Sequence, residues 1–244
     1  MKTAMRAGFF VTGTDTGVGK TRSTCALLHA AARLGYSTVG MKPVAAGFER
    51  QGDVWRNDDV EALVVASSIK ADRRLINPYA LRNAVAPHIA AERQGVALRI
   101  PPVRAAFETL AEQADVVLVE GVGGLVVPLD ATHDMADMAV ALGLPVILVV
   151  GMRLGCLNHA ILTAEAIRYR GLSLAGWVAN DLGTGLAEFE ANLATLEAHL
   201  GSASLAVFPW HPDEDAEAAS RHVVLPRWKS LLGEASSPVS NPVT

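Results

Sequence analysis

The sequence predicts an α/β fold: a doubly wound, mostly parallel sheet with helices on both faces. Three observations predict it. Half of the 244 residues are hydrophobic and only 5% are aromatic, with Ala, Val, Leu and Gly dominant, as in a sheet buried from two sides. Six short runs are apolar throughout rather than alternating, which is the pattern of strands covered on both faces. Helically spaced segments separate these runs, and that alternation calls for right-handed crossovers.

Taken in order, the strands are expected at 8–12 (GFFVT), 38–42 (TVGMK), 116–120 (VVLVE), 146–150 (VILVV), 176–180 (GWVAN) and 205–208 (LAVF). The helices are expected at 20–34, 57–67, 84–94, 102–113, 134–142, 157–170 and 186–200. Asn57 and Asp58 are good N-caps for the second of these. There is no internal repeat and no internal Pro/Gly/Ser linker, so 1–232 reads as one domain. The small, polar, Pro-containing stretch 233–244 reads as a disordered tail.

Composition also narrows the function classes. The net charge is −4 and the pI about 6.0, without the clustered basic excess that a nucleic-acid surface needs. Cys25 and Cys156 are far apart and neither belongs to a C-x-x-C, which argues against a disulfide framework or a zinc site and for a reducing compartment. The apolar run near the N-terminus is too brief for a signal segment. The uncharged stretch 138–152 is shorter than the roughly 20 residues a membrane span takes, and Gly143 and Pro145 break it. The expectation is a soluble cytoplasmic protein with no nucleic-acid or membrane partner.

In doubly wound sheets, ligands bind beyond the carboxyl ends of the strands. Function is therefore expected at 13–21, 42–47, 120–124, 151–158, 180–181 and 209–211. The first of these reads GTDTGVGKT and runs from an apolar strand into a helix. Backbone N–H groups in such a loop cradle phosphates, and the helix N-terminus adds positive potential. Lys20 would reach the β- and γ-phosphates, and the Thr21 hydroxyl would coordinate Mg²⁺. The match to G-x-x-x-x-G-K-[ST] is imperfect, because Thr14 stands at the first-glycine position and Gly13 comes one residue early. The strand–loop–helix setting nonetheless predicts a P-loop NTPase type of fold.

Mg²⁺ takes oxygen ligands in an octahedral array, so Thr21 needs carboxylate company. Glu120 closes the apolar strand ADVVLVE and is followed by Gly121, Gly123 and Gly124, which permit close approach of a ligand. Asp59 lies at a helix start, where an acid is also common for capping reasons alone, and spacing does not decide between the two readings. Lys42 ends a strand and fits either a phosphoryl-neutralising lysine or one that snorkels to the surface. The turn GMRLGCLNHA at 151–160 feeds a helix whose N-terminus could hold a carboxylate. Cys156 reads as a small buried residue, His88 and His159 as core or supporting side chains, and Trp177 as core.

Ordered along most of the chain, FVTGTDTGVGKT at 10–21, GMKPVAAG at 40–47, RNDD at 56–59, NPYALRNAVAPHIAA at 77–91, VLVEGVGG at 117–124, LPVILVVGMRLGCLNHAILTA at 144–164, LAGWVAND at 174–181 and PW at 209–210 resemble the dethiobiotin synthetase family. The resemblance implies an ATP-dependent cyclo-ligase of biotin synthesis. It would carboxylate 7,8-diaminononanoate with CO₂ and close a cyclic urea, through a carbamate and a carbamic–phosphoric anhydride, releasing ADP and phosphate. It also implies a homodimer with sites at the subunit interface. By the same resemblance, Gly17, Val18, Gly19, Lys20 and Thr21 hold phosphates, with Gly123 nearby, and Thr21, Asp59 and Glu120 hold Mg²⁺. Lys20 and Lys42 are the catalytic lysines. Asn180, Asp181, Pro209, Trp210 and His211 lie at the base. Thr16 and Lys42 contact the diamine, whose carboxylate is received by Gly155, Cys156, Leu157 and Asn158 of the partner subunit.

Three departures stand out: Ala46 for a hydroxyl residue, Gly17 for an acid seen in some relatives, and Phe189 for a tyrosine near the substrate carboxylate. They predict persistent activity with weaker substrate binding. A rival class with the same fold is the partition or septum-site switch ATPase, whose loop carries a lysine where Asp15 stands here. An amidotransferase-type synthetase would need a glutaminase unit for which the chain has no room.

Overall fold

The computed structural model describes residues 7–234. Strand β1 (Ala7–Gly13) is buried along its whole length and ends in the phosphate loop. The loop opens helix α1 (Lys20–Arg33), which returns the chain to β2 (Thr38–Met41). A peripheral region follows: β3 (Val44–Ala46), the hairpin β4 (Glu49–Gln51) and β5 (Val54–Arg56), α2 (Asp58–Ala66), α3 (Arg73–Ile76), β6 (Tyr79–Leu81), α4 (Pro87–Gln94) and α5 (Ile100–Ala111). The chain then re-enters the sheet as β7 (Val116–Gly124) and continues through α6 (Met135–Leu142), β8 (Val146–Met152), α7 (Cys156–Tyr169), β9 (Leu174–Asp181), α8 (Phe189–Leu200) and β10 (Ala206–Phe208). It closes with α9 (Ala216–Ala219), a 3₁₀ turn Ser220–His222 and α10 (Leu225–Glu234).

The main sheet runs β10-β9-β8-β1-β7-β2, and all its pairings are parallel. Alternate side chains explain the uniformly apolar strands. Phe9, Val11, Val116 and Leu118 face α1, α2, α9 and α10, whereas Phe10, Val117 and Val119 face α5 and α6. Leu148 and Val150 pack under α7 and α8 with Trp177, which is fully buried as expected. Phe9 meets Trp228 of α10 with ring centroids 5.5 Å apart. Among the described residues, no helix is long and apolar enough to cross a membrane.

The six expected strands are the six strands of this sheet, with ends moved by a few residues. The peripheral strands, α3, α9 and α10 were not foreseen. The expected tail needs correction at its start: Gly233 and Glu234 are still helical, because α10 runs on to bury Trp228 and Leu232, and 235–244 lie outside the described residues. His159 is exposed on α7 rather than placed in the core or bonded to a partner side chain.

Strand β1 is a central strand, and the chain leaves it in opposite directions across the sheet. To one side lie β7 and β2, and to the other β8, β9 and β10. This is the switch point at which such sheets open a crevice, so the loop after β1 lies at its centre.

Candidate active site

The loop at residues 14–19 is shaped by two glycines with left-handed backbone, Gly17 (φ 74) and Gly19 (φ 85). Gly19 caps α1 and admits no side chain, since a Cβ there would lie 2.2 Å from Asn180 Nδ2. Lys20, the first helical residue, is buried and folds back to donate to the Asp15 carbonyl at 3.0 Å. Burial, and then the neighbouring Lys42 ammonium, pull the Lys20 pKa down to about 8, against the opposing carboxylates of Glu120, Asp59 and Asp15.

Asn57 caps α2 by accepting from the Val60 amide, and this brings Asp59 in the first turn of α2 over the loop. Lys42 follows β2, its amide donating to Ile76 O and its carbonyl accepting from Asn77 Nδ2. Glu120 lies on β7 in register with Val11. These positions, far apart in sequence, converge. Thr21 Oγ1 lies 2.8 Å from both Asp59 Oδ1 and Glu120 Oε1. Lys42 Nζ lies 2.8 Å from Asp59 Oδ2 and 2.5 Å from Glu120 Oε1. Burial alone would lower the Lys42 pKa, but Glu120 and Asp59 outweigh it and hold the ammonium above its ordinary value. Burial likewise pushes Asp59 up, and Lys42 outweighs that to hold its carboxyl below the usual range.

The donor count is informative. A hydroxyl carries one proton, so Thr21 can donate to only one of the two carboxylate oxygens at 2.8 Å. The other oxygen–oxygen contact has no hydroxyl proton to fill it. Glu120 is fully buried, yet its Oε2 has no hydrogen-bond partner. Two carboxylates, a hydroxyl and an unpaired buried oxygen suit a small hard cation that also takes phosphate oxygens, which is how Mg²⁺ is held in such sites. Among the described residues no group of three or more His, Cys, Asp or Glu side chains converges, so the donor set does not resemble that of a zinc site.

These groups line a cleft of about 700 Å³ whose lining includes Thr16, Gly17, Gly19, Lys20, Thr21, Lys42, Asp59, Glu120 and Gly123. Its remaining wall is largely apolar: Ala46, Ala84, Val85, Ala86, Pro87, Val122 and Val127. The helix expected at 84–94 begins only at Pro87, so Ala84, Val85 and Ala86 form a loop on this wall, which the sequence reading did not assign to the site. Ala46 lies in the lining.

The other expected residues lie outside that cleft. Asn180 is on the far side of the loop, donating from Nδ2 to Val18 O at 3.0 Å. Asp181 accepts from the Gly183 amide, Trp210 packs over Gly183 with its ring half exposed, and His211 is exposed. Gly155 and Asn158 are exposed at the start of α7 and Leu157 is partly covered. Cys156 is buried and its amide already donates to Arg153 O, so packing is its role and its N–H is engaged. Phe189, at the start of α8, packs against the core under α7.

Sequence reasoning passed over two ion pairs at the loop. Asp15 is held by Arg153 at 2.6 Å while its other oxygen accepts from the Thr16 amide. Arg22, one residue past Thr21, pairs with Glu214 at 2.6 Å. Charged residues at strand ends and in a first helical turn were the available signal for both.

A family model described as an AAA domain matches residues 7–218. The chain is 52% identical to an ATP-dependent dethiobiotin synthetase BioD of Nitrosospira multiformis over 88% of its own length and 94% of the relative's. It is 49% identical to a protein of the same name from Xanthomonas oryzae pv. oryzae, over 90% and 98% respectively. Similar solved structures include the MinD cell division protein of Aquifex aeolicus, at 16% identity and TM-score 0.54, covering 94% of this chain and 95% of that one. A ParA family ATPase from Chlorobium tepidum is similar at 13% identity and TM-score 0.53, covering 95% and 97%. At these identities the structures establish the shared fold alone.

Proposed function

The chain belongs to the ATP-dependent dethiobiotin synthetase family, and from that premise we propose how its residues divide the work of making dethiobiotin. The observation that carries the proposal is the convergence of Lys20, Lys42, Thr21, Asp59 and Glu120 in one cleft with an apolar wall. The loop amides and Lys20 hold the triphosphate. Thr21, Asp59 and Glu120 hold Mg²⁺. When bound, that ion supplies positive charge to the β- and γ-phosphates. The apolar wall receives the alkyl chain of 7,8-diaminononanoate, and Lys42 faces its amines.

Free alkyl amines have a pKa of about 10.4, so the diamine arrives protonated. Two nearby ammonium groups, Lys20 and Lys42, disfavour that protonated form and release a nucleophile. The free amine attacks CO₂ and, on losing its proton, becomes a carbamate, an anion that the same lysines stabilise. A carbamate oxygen then attacks the γ-phosphorus, and ADP leaves. The second amine, as its free base, attacks the carbamoyl carbon, phosphate leaves, the attacking nitrogen gives up one proton to solvent, and the urea ring closes.

The homodimer belongs to the same reading. Leu154, Leu162 and Tyr169, on and just before α7, are 94%, 54% and 89% exposed, an apolar stripe suited to a second copy. Such a partner would bring its Gly155–Asn158 turn to the mouth of the cleft. A cytoplasmic location also belongs to this reading and rests on the biosynthetic name of the relatives. The switch-ATPase alternative is not favoured: at its signature-lysine position stands Asp15, tied to Arg153.

ADP release is the test. It should require both the diamine and bicarbonate, and ¹⁸O from labelled bicarbonate should appear in the released phosphate. ADP released equally without either substrate, with label entering only from solvent water, would mean simple hydrolysis.

A further inference from the structure

Arg22 gathers the acceptors on the side of the phosphate loop opposite the cleft. Its NH1 donates to Asn180 Oδ1 and to Pro209 O, both at 3.2 Å, and its NH2 pairs with Glu214 at 2.6 Å. The guanidinium carbon lies 5.5 Å from the centre of the Phe208 ring. One side chain on α1 therefore ties together the ends of β9 and β10 and the segment after β10.

The place of these acceptors follows from the sheet order. Lys42 and Glu120 follow or lie on β2 and β7, to one side of β1. The reacting end of a bound triphosphate faces them, so the nucleoside must leave the loop on the other side, over β8, β9 and β10. Asn180 is there, against Gly19 and Val18.

The amide orientation of Asn180 is chemically fixed. Val18 O can only accept, so it faces Nδ2; Arg22 can only donate, so it faces Oδ1. Both NH1 hydrogens of Arg22 are used, one by Asn180 Oδ1 and one by Pro209 O. Each of those oxygens keeps a second lone pair. Two neighbouring acceptors suit the exocyclic amine of a 6-aminopurine, whereas a 6-oxopurine would set its own acceptor against them.

We propose that Arg22 is a positioning residue for base selection: by holding Asn180 Oδ1 and Pro209 O side by side, it makes the site prefer adenine over guanine nucleotides. This rests on the nucleotide-binding reading of the loop, but not on the carboxylation chemistry.

Calorimetric titration of the full chain with ADP and with GDP, without diamine or bicarbonate, is the test. Wild-type protein should bind ADP more tightly than GDP on the order of tenfold or more, as a good base pairing by an Asn amide provides. Arg22→Met should narrow that ratio to within about threefold, chiefly by losing ADP affinity, an effect of the size one such base contact supplies. Glu214→Gln keeps Arg22 but removes the charge of its anchor, and should narrow the ratio in the same direction by less; it serves if Arg22→Met fails to fold. A ratio unchanged in both variants, or equal weakening of ADP and GDP, overturns the proposal. Wild-type protein that binds neither nucleotide overturns it together with the loop assignment, whereas normal nucleotide binding without diamine-dependent ADP release sinks only the synthetase chemistry.

Discussion

Lys42 Nζ lies 2.5 Å from Glu120 Oε1, and the two side chains are 3% and 0% exposed. Removing one partner of a buried ion pair leaves the other charge without compensation, at a cost of about 3–5 kcal/mol. Lys42→Met is thus expected to destabilise the fold by about 3 kcal/mol, and adding Glu120→Leu should recover most of the loss. Urea unfolding of the two variants measures it. A Lys42→Met midpoint equal to wild type would mean that the pair does not couple in solution.

Glu120→Gln and Asp59→Asn keep the shape of the site and remove one negative charge each. If both carboxylates hold Mg²⁺, each variant needs on the order of tenfold more Mg²⁺ for half-maximal ADP release, about 1.4 kcal/mol of lost ion binding. A titration midpoint at the wild-type value for either one removes that residue from the ligand set.

Gly19→Ala places a methyl where Asn180 Nδ2 sits 2.2 Å away, on a backbone with φ 85. The left-handed backbone alone costs about 1–3 kcal/mol for a non-glycine residue, and the clash adds to it. The expected result is a lower melting temperature and loss of ADP binding. Gly17→Ala shares the positive φ but meets nothing within 4 Å, so it should retain measurable ADP binding. Equal behaviour of the two variants would show that contact with Asn180 is unimportant.

Leu162→Asp with Tyr169→Asp puts charge on the exposed stripe of α7. If the proposed dimer forms through this face, sedimentation should show wild type as a dimer and the variant as a monomer, with diamine-dependent ADP release lost while ADP binding persists. A fully active monomer would contradict a site completed by the partner's turn.

The main sheet was legible because burial on both faces writes a continuous apolar run into each strand. The hairpin β4–β5 was not, since all of its residues are exposed and carry no burial pattern. The parallel pair β3–β6 spans only Val44–Ala46 and Tyr79–Leu81, too short for periodicity to register. For the site, the phosphate loop was readable from local chemistry. Asp59 was not, because a helix-starting acid looks the same whether it caps or coordinates, and only the fold brings it to Thr21, 38 residues away. Arg22 sat beside the motif and was passed over, because its partners Asn180, Pro209 and Glu214 lie 158, 187 and 192 residues along the chain.

Because the sheet order sets β7 and β2 on one side of β1 and β8, β9 and β10 on the other, the nucleotide is measured across strands rather than along the chain. Neighbouring strands are spaced by about 4.8 Å. Asn180 on β9 stands two strands from β1, roughly 10 Å across the sheet, and its side chain reaches back to Val18 O, so the backbone ladder sets where the base contact meets the loop. That ladder works as a ruler. Loops may lengthen or shrink around it without altering the fit of the ligand, whereas a one-residue slip of β9 against β8, where Gly151 pairs with Asn180, would turn Asn180 to the opposite face and erase the far mark.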